Sequence, residues 1–243
     1  MNVFLVFAFL FSVGAMAGWG LEVVFRRFFS KANPERKWIN PGALTGPWLP
    51  LYGFGLCILF VLASLESYDL IASSFWNRLV LFLTMAVCMT AIEYIAGIAC
   101  LRLGKMRLWD YRQEWGNVQG IICPKYSLAW AVLGAVYYVL IHPYILDALY
   151  WLSQNLVFSF VIGMFYGVFL MDVARTAKIL QKVRAFASDH RTIVAYEQLK
   201  DRIRDFQERH LKKPVFWRSF WSERPLPEHM KEMLEDLENR LGK

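Results

Sequence analysis

Five polar side chains stand out because of the apolar sequence around them: Glu22, Asn40, Glu93, Asp110 and Asn117. Glu22 and Glu93 lie inside apolar runs, where low dielectric raises a carboxyl pKa and lets the group bind a cation or exchange a proton. Glu22 also lies one turn before Arg26-Arg27. It therefore reads either as an interfacial acid pairing with those arginines or as an acid facing a bundle interior. Asn40 and Asn117 each offer a donor and an acceptor, suited to holding a loop or a polar ligand. Asp110, within Leu108-Trp109-Asp110-Tyr111, adds a third acid, and Trp109 and Tyr111 read as interfacial anchors. Nothing resembles a Ser/His/Asp constellation, a zinc helix or a phosphate-binding glycine loop. Without a Walker A sequence the chain cannot hydrolyse ATP unaided. Cys57, Cys88, Cys100 and Cys123 show no CxxC pairing and no histidines at metal-ligand spacing, so no metal or cofactor is expected.

The elements that must carry these residues are membrane helices. The chain has 243 residues, 57% of them hydrophobic and only 19% charged. A span needs about 20 mostly apolar residues, and the sequence offers five such runs, at about 3–25, 49–65, 75–101, 126–140 and 152–171. The expected fold is an all-α polytopic membrane domain over residues 1–172, with a basic helical tail over 173–243. His142-Pro143 is expected to end the fourth span, with His142 capping it. The triplet Ala15-Met16-Ala17 mimics a signal-peptide cleavage site, but no basic region precedes it and the apolar pattern continues to Phe25.

Charge orients the spans. Of 27 Lys and Arg, five fall in 26–37, five in 102–125 and sixteen in 175–243, while Glu66–Ser74 carries two acids and no base. The positive-inside bias then sets the N-terminus outside and the C-terminus in the cytoplasm. That bias also accounts for the net charge of +7 without nucleic acid, for which no recognition module is present.

The stretch Trp38–Gly55 concentrates Pro41, Gly42, Gly46, Pro47, Gly53 and Gly55, which remove backbone donors or permit close approach. A second loop resembles it. Asn40 stands seven residues before Pro47, and Asn117 seven before Pro124, with Gly120 between; each loop follows a span carrying one glutamate. This reads as a parallel repeat, whose halves would set Glu22/Asn40 and Glu93/Asn117 around a cavity on the cytoplasmic side.

Taken in order, Gly18-Trp19-x-x-Glu22, Asn40-Pro41-Gly42-x-x-x-Gly46-Pro47-x-x-Pro50-x-Tyr52-Gly53-x-Gly55, Glu93-Tyr94, Trp109-Asp110-Tyr111 and Asn117-x-x-Gly120-x-Ile122-Cys123 resemble the bacterial "Putative ABC-transporter type IV" (CmpB-type) membrane family. The resemblance covers about Gly18–Pro143. It implies a permease-like subunit in a bacterial cytoplasmic membrane, with a separate ATPase subunit as partner. The charged tail has no counterpart in that pattern.

In the tail, Ile179, Val183, Phe186, Ile193, Leu199, Ile203 and Phe206 recur at helical intervals, predicting one long helix over 173–213 that Pro214 ends. An aromatic cluster, Phe216, Trp217, Phe220 and Trp221 beside Arg218, suits a headgroup region. A last helix over 228–241 aligns Met230, Met233, Leu234, Leu237 and Leu241. Such stripes pack on one another, on a second copy of the chain, on an ATPase or on the membrane surface. Three functions therefore stand side by side. One is a permease-like subunit. Another is a membrane enzyme acting on a lipid or lipid-linked substrate, with Glu22, Glu93 or Asp110 as general base. The third is a non-catalytic scaffold or regulator.

Overall fold

In the computed structural model, described for residues 2–30, 33–68, 74–210 and 226–241, the chain is 78% helical. Helix α1 spans Val3–Phe28, α2 Pro50–Ser64 and α3 Ser74–Gly104. Next come α4 (Pro124–Val136), α5 (His142–Gln154), α6 (Ser159–Asp189), α7 (Tyr196–His210) and α8 (Leu226–Leu241). Two short strands, β1 (Met106–Arg107) and β2 (Val194–Ala195), pair in parallel, so the fold is nearly all-α rather than all-α.

Among the described residues, four helical stretches are long and apolar enough to cross a membrane: Val3–Phe28, Phe75–Gly104, Pro124–Gln154 and Leu156–Asp189. Only 17% to 39% of their apolar windows is buried within the protein, so most of that surface faces outward, as lipid contact requires. The fifth apolar helix, α2, has 15 residues, short of a full span. The fourth stretch does not stop at His142-Pro143. A π-helical turn at Tyr137–Ile141 joins α4 to α5 and absorbs the backbone donor that Pro143 lacks. The His142 Nδ1 bonds the Tyr137 hydroxyl (2.9 Å) across that turn instead of capping a helix.

The chain divides into two compact units, with the divisions falling inside α1, α3 and α6. The first holds residues 1–21, 47–96 and 111–170. Its core joins Leu10, Leu59, Met85, Met89, Trp130 and Ile145. Small residues bring α1 and α2 together. A Cβ at Gly14 would meet the Leu56 Cβ and the Tyr52 carbonyl oxygen at 2.8 Å, and one at Gly53 would meet the Phe11 carbonyl oxygen at 2.8 Å.

The second unit holds residues 22–46, 97–110 and 171–243. Its core gathers Val183, Phe186, Val194, Leu199, Ile203 and Met230. Most of the apolar stripe in the tail is thus internal, although Ile193 is half exposed. The long helix expected over 173–213 is broken. α6 ends at Asp189 in a Schellman motif with Arg191 left-handed (φ 49°), the Thr192 N–H reaching the Ala187 carbonyl at 2.9 Å. The β-branched run Thr192-Ile193-Val194 then prefers an extended backbone, and Val194 and Ala195 pair with Met106 and Arg107. α8 packs on α7 through Met230, Met233 and the edge-on contact of His229 with Phe206. Arg202 pairs with Asp236 across the same two helices. Pro214, the aromatic cluster at Phe216, Trp217, Phe220 and Trp221 with Arg218, and the side chains of Leu234, Leu237 and Leu241 lie outside the described residues, as does most of the Glu66–Ser74 turn.

Candidate functional site

In the second unit the loop 40–46 is closed first by its own side chain. The Asn40 carboxamide donates to the carbonyls of Leu44 (3.1 Å) and Thr45 (2.8 Å) and accepts from the Gly42 N–H (3.2 Å). This is an Asx-type closure, which the sequence Asn-Pro-Gly favours. Helices α6 and α7 then take up the remaining polar groups. The Asp172 carboxylate accepts the N–H groups of Thr45 (3.3 Å) and Gly46 (2.8 Å). The Tyr196 hydroxyl donates to the Ala43 carbonyl (3.0 Å), and the Lys200 amine donates to the carbonyls of Asn40 and Gly42, both at 2.7 Å. A loop with this many bonded carbonyls and amides has one backbone path.

Around that clamp the charges are chained. Glu22 accepts from Arg26 (3.0 Å), and Arg26 also pairs with Glu197, one turn before Lys200 on α7. Burial, aided by the nearby Arg26 guanidinium, pushes the Lys200 amine down to about 7. Burial raises the Tyr196 phenol well above its ordinary value and raises the Asp201 carboxyl. Asp110 is exposed and lies 3.9 Å from Arg107.

The first unit holds a separate cluster. Glu93, 3% exposed, accepts from the Tyr111 hydroxyl (3.1 Å) and the Trp130 Nε1–H (2.9 Å). Tyr111 stacks on Tyr126 at 4.3 Å, and Trp130 tilts against Tyr52 at 5.0 Å. Tyr111 is therefore a half-buried hydrogen-bond partner of Glu93. Asn117 closes its own loop much as Asn40 does, donating to the carbonyls of Arg112 (3.2 Å) and Glu114 (3.0 Å) and accepting from Gly120 (3.0 Å). Gln119 and Gly120, at φ 55° and 67°, form the tight turn between Val118 and Ile122. The matched prolines of the two loops differ in place: Pro124 opens α4, whereas Pro50, not Pro47, opens α2. Gly53 and Gly55 lie within α2, where they serve helix approach rather than loop shape.

Of the five residues singled out by sequence, Glu22, Asn40 and Asp110 belong to the second unit and Glu93 and Asn117 to the first. Asp172, Tyr196, Lys200 and Trp130 escape sequence reading. Asp172 had a signal, being the only acid between Asp147 and Asp189 and following the apolar Phe169-Leu170-Met171. Lys200 had none, one base among sixteen. The first unit also carries an open groove of about 470 Å³ beside α3 and α4, lined by Val87, Thr90, Tyr94, Ile122 and Ser127 among others. Its apolar lining fits a hydrocarbon better than a polar solute.

Outward-facing apolar helices, loops closed by their own asparagines and a polar unit gripping one of those loops define a helical membrane protein. Residues 9–177 match the family described as "Putative ABC-transporter type IV", and the chain belongs to that family. The match extends beyond Gly18–Pro143 at both ends and takes in Asp172. No curated protein and no solved structure matches the chain.

Proposed function

We propose that the protein is the permease-like membrane subunit of a bacterial transport system whose ATPase is a separate polypeptide. The observation that carries this reading is the family match over residues 9–177, which includes the apolar helices and both asparagine-closed loops. These 243 residues carry no phosphate-binding glycine loop, so this reading assigns ATP hydrolysis to a separate subunit. In this reading the N-terminus faces outward, and the loops and tail face the cytoplasm, as the positive-inside bias favours. The loop 40–46 serves as a coupling element. Lys200 and Tyr196 tie it to α7, so a force on the tail helices reaches the loop without new contacts. The buried bonding of Glu93 suits a fixed carboxylate that sets the geometry of α3 and α4.

Co-purification tests the reading. The tagged protein, extracted from native membranes in mild detergent, is expected to retain an ATP-hydrolysing subunit at near-equal amounts. Recovery of the protein by itself, with no ATPase under several detergents, would sink the proposal. Co-purifying lipid that the preparation turns over would replace it with the enzyme reading.

A further inference from the structure

Within the exposed surface of α6 one strip runs along its length. Phe160, Met164, Val168 and Met171 recur at three- and four-residue intervals, and each is more than half exposed. The same spacing continues as Arg175, Lys178 and Lys182, all exposed. The side of α6 that carries Val183, Phe186 and Ala187 is occupied by core packing. A single helix face thus changes from apolar to basic at one point, immediately after Met171.

The basic part differs from the charged surface of α7. On α7, Lys200, Arg202 and Arg204 are interleaved with Glu197, Asp201 and Asp205, and Arg202 and Arg204 form ion pairs. Arg175, Lys178 and Lys182 have no acidic partner among the described residues. Asp172, the acid nearest to them in sequence, is buried and turned to the amides of Thr45 and Gly46. An ordinary solvated face mixes both signs, and this strip does not.

Depth supplies the second argument. With a helical rise of about 1.5 Å per residue, Arg175, Lys178 and Lys182 stand roughly 6, 10 and 16 Å beyond Met171, so Arg175 and Lys178 are the nearest to the headgroup layer and Lys182 is the outermost. The headgroup layer is about 5–8 Å thick on each side of the hydrocarbon core. Long basic side chains reach back toward it, keeping their stems on apolar surface. The face that meets acyl chains therefore meets phosphates next.

We propose that Arg175, Lys178 and Lys182 form a docking strip for the phosphate groups of anionic phospholipids. A lipid bearing only a phosphodiester brings net negative charge to three cations that have no acidic partner among the described residues. A zwitterionic lipid brings its own cation and gains less. The proposal requires only that α6 enter the membrane; it does not depend on the transport reading.

The test uses the full chain reconstituted in phosphatidylcholine vesicles with trace spin-labelled phosphatidylglycerol or phosphatidylcholine, reading the motionally restricted lipid fraction. Wild type is expected to prefer phosphatidylglycerol by roughly fivefold or more at low salt, with the preference shrinking as salt is raised. The variant Arg175→Gln/Lys178→Gln/Lys182→Gln should fall to near parity. Arg184→Gln, exposed on the far side of α6, should keep the preference, and so should the charge-conserving Arg175→Lys. Should the triple variant fail to insert, Arg175→Gln/Lys178→Gln, which removes the two bases nearest the headgroup layer, supplies a milder version expected to lose most of the preference. A triple or double variant that keeps the full preference overturns the proposal. Equal loss in Arg184→Gln also overturns it, because net charge rather than this strip would then be responsible.

Discussion

Glu93 shows what a single residue contributes and how its role is decided. Both carboxylate oxygens accept a hydrogen bond, from Tyr111 and from Trp130, inside the first unit. Glu93→Gln retains an acceptor for the indole, and the Tyr111 hydroxyl can turn to accept from the new amide, so a small stability loss is expected. Glu93→Leu strands a buried indole N–H, at a cost of about 1–3 kcal/mol. Thermal unfolding in detergent should rank them in that order, and equal stabilities would refute the assignment. Lys200 gives a prediction in pH. Its folded pKa, near 7, lies below the ordinary lysine value, so between about pH 7 and 10 the unfolded chain holds a proton that the folded one lacks. Stability should therefore rise with pH across that window and be flat in this contribution below it. Melting temperatures of wild type and Lys200→Met, compared at pH 7 and pH 10, check the sign: wild type should gain relative to the variant.

At the scale of elements, glycine positions separate into two kinds. Gly53 has ordinary helical geometry, and its value is the space it leaves for the Phe11 backbone. Gly53→Ala forces α1 and α2 apart and should lower stability by about 1–3 kcal/mol, visible in the same melts. Gly120 is needed for its left-handed backbone, where a Cβ is costly, and Gln119 beside it tolerates the same conformation less well. Gln119→Gly should therefore stabilise the turn by up to about 1 kcal/mol, while Gly120→Val should destabilise it. An unchanged melt in both would mean that the turn is not formed. The elements themselves were largely legible. Helix starts at Pro50 and Pro124 and the apolar runs are local signals. The break after Asp189 is not legible, because the tail's helical periodicity masks the β-branched run that follows it. Passage through His142-Pro143 is not legible either, because a π turn leaves no compositional mark.

For the whole molecule, the second unit has a core of its own, which places α7 among the structural helices. Ile203, 1% exposed among Val183, Leu199 and Met230, is a test position. Ile203→Ala should cost about 2–5 kcal/mol and raise proteolytic susceptibility near α7, while a solvent-facing helix would tolerate it. The proposed orientation has its own check. A fluorescent protein fused at the C-terminus should light up, and an export-dependent phosphatase fused there should stay inactive.

Sequence alone determined that this is a helical membrane protein, which loops carry the Asn, Gly and Pro residues, and which family the ordered motifs resemble. Those properties are local: apolar run length, charge counts, and spacings within a few turns. Only the tertiary structure decided which groups bond to them. Asp172 and Lys200 lie 126 and 160 residues from their loop partners Gly46 and Asn40, and Trp130 lies 37 residues from Glu93. A buried carboxylate or a loop carbonyl must find a partner, but nothing along the chain says which of many donors folding will bring within 3 Å.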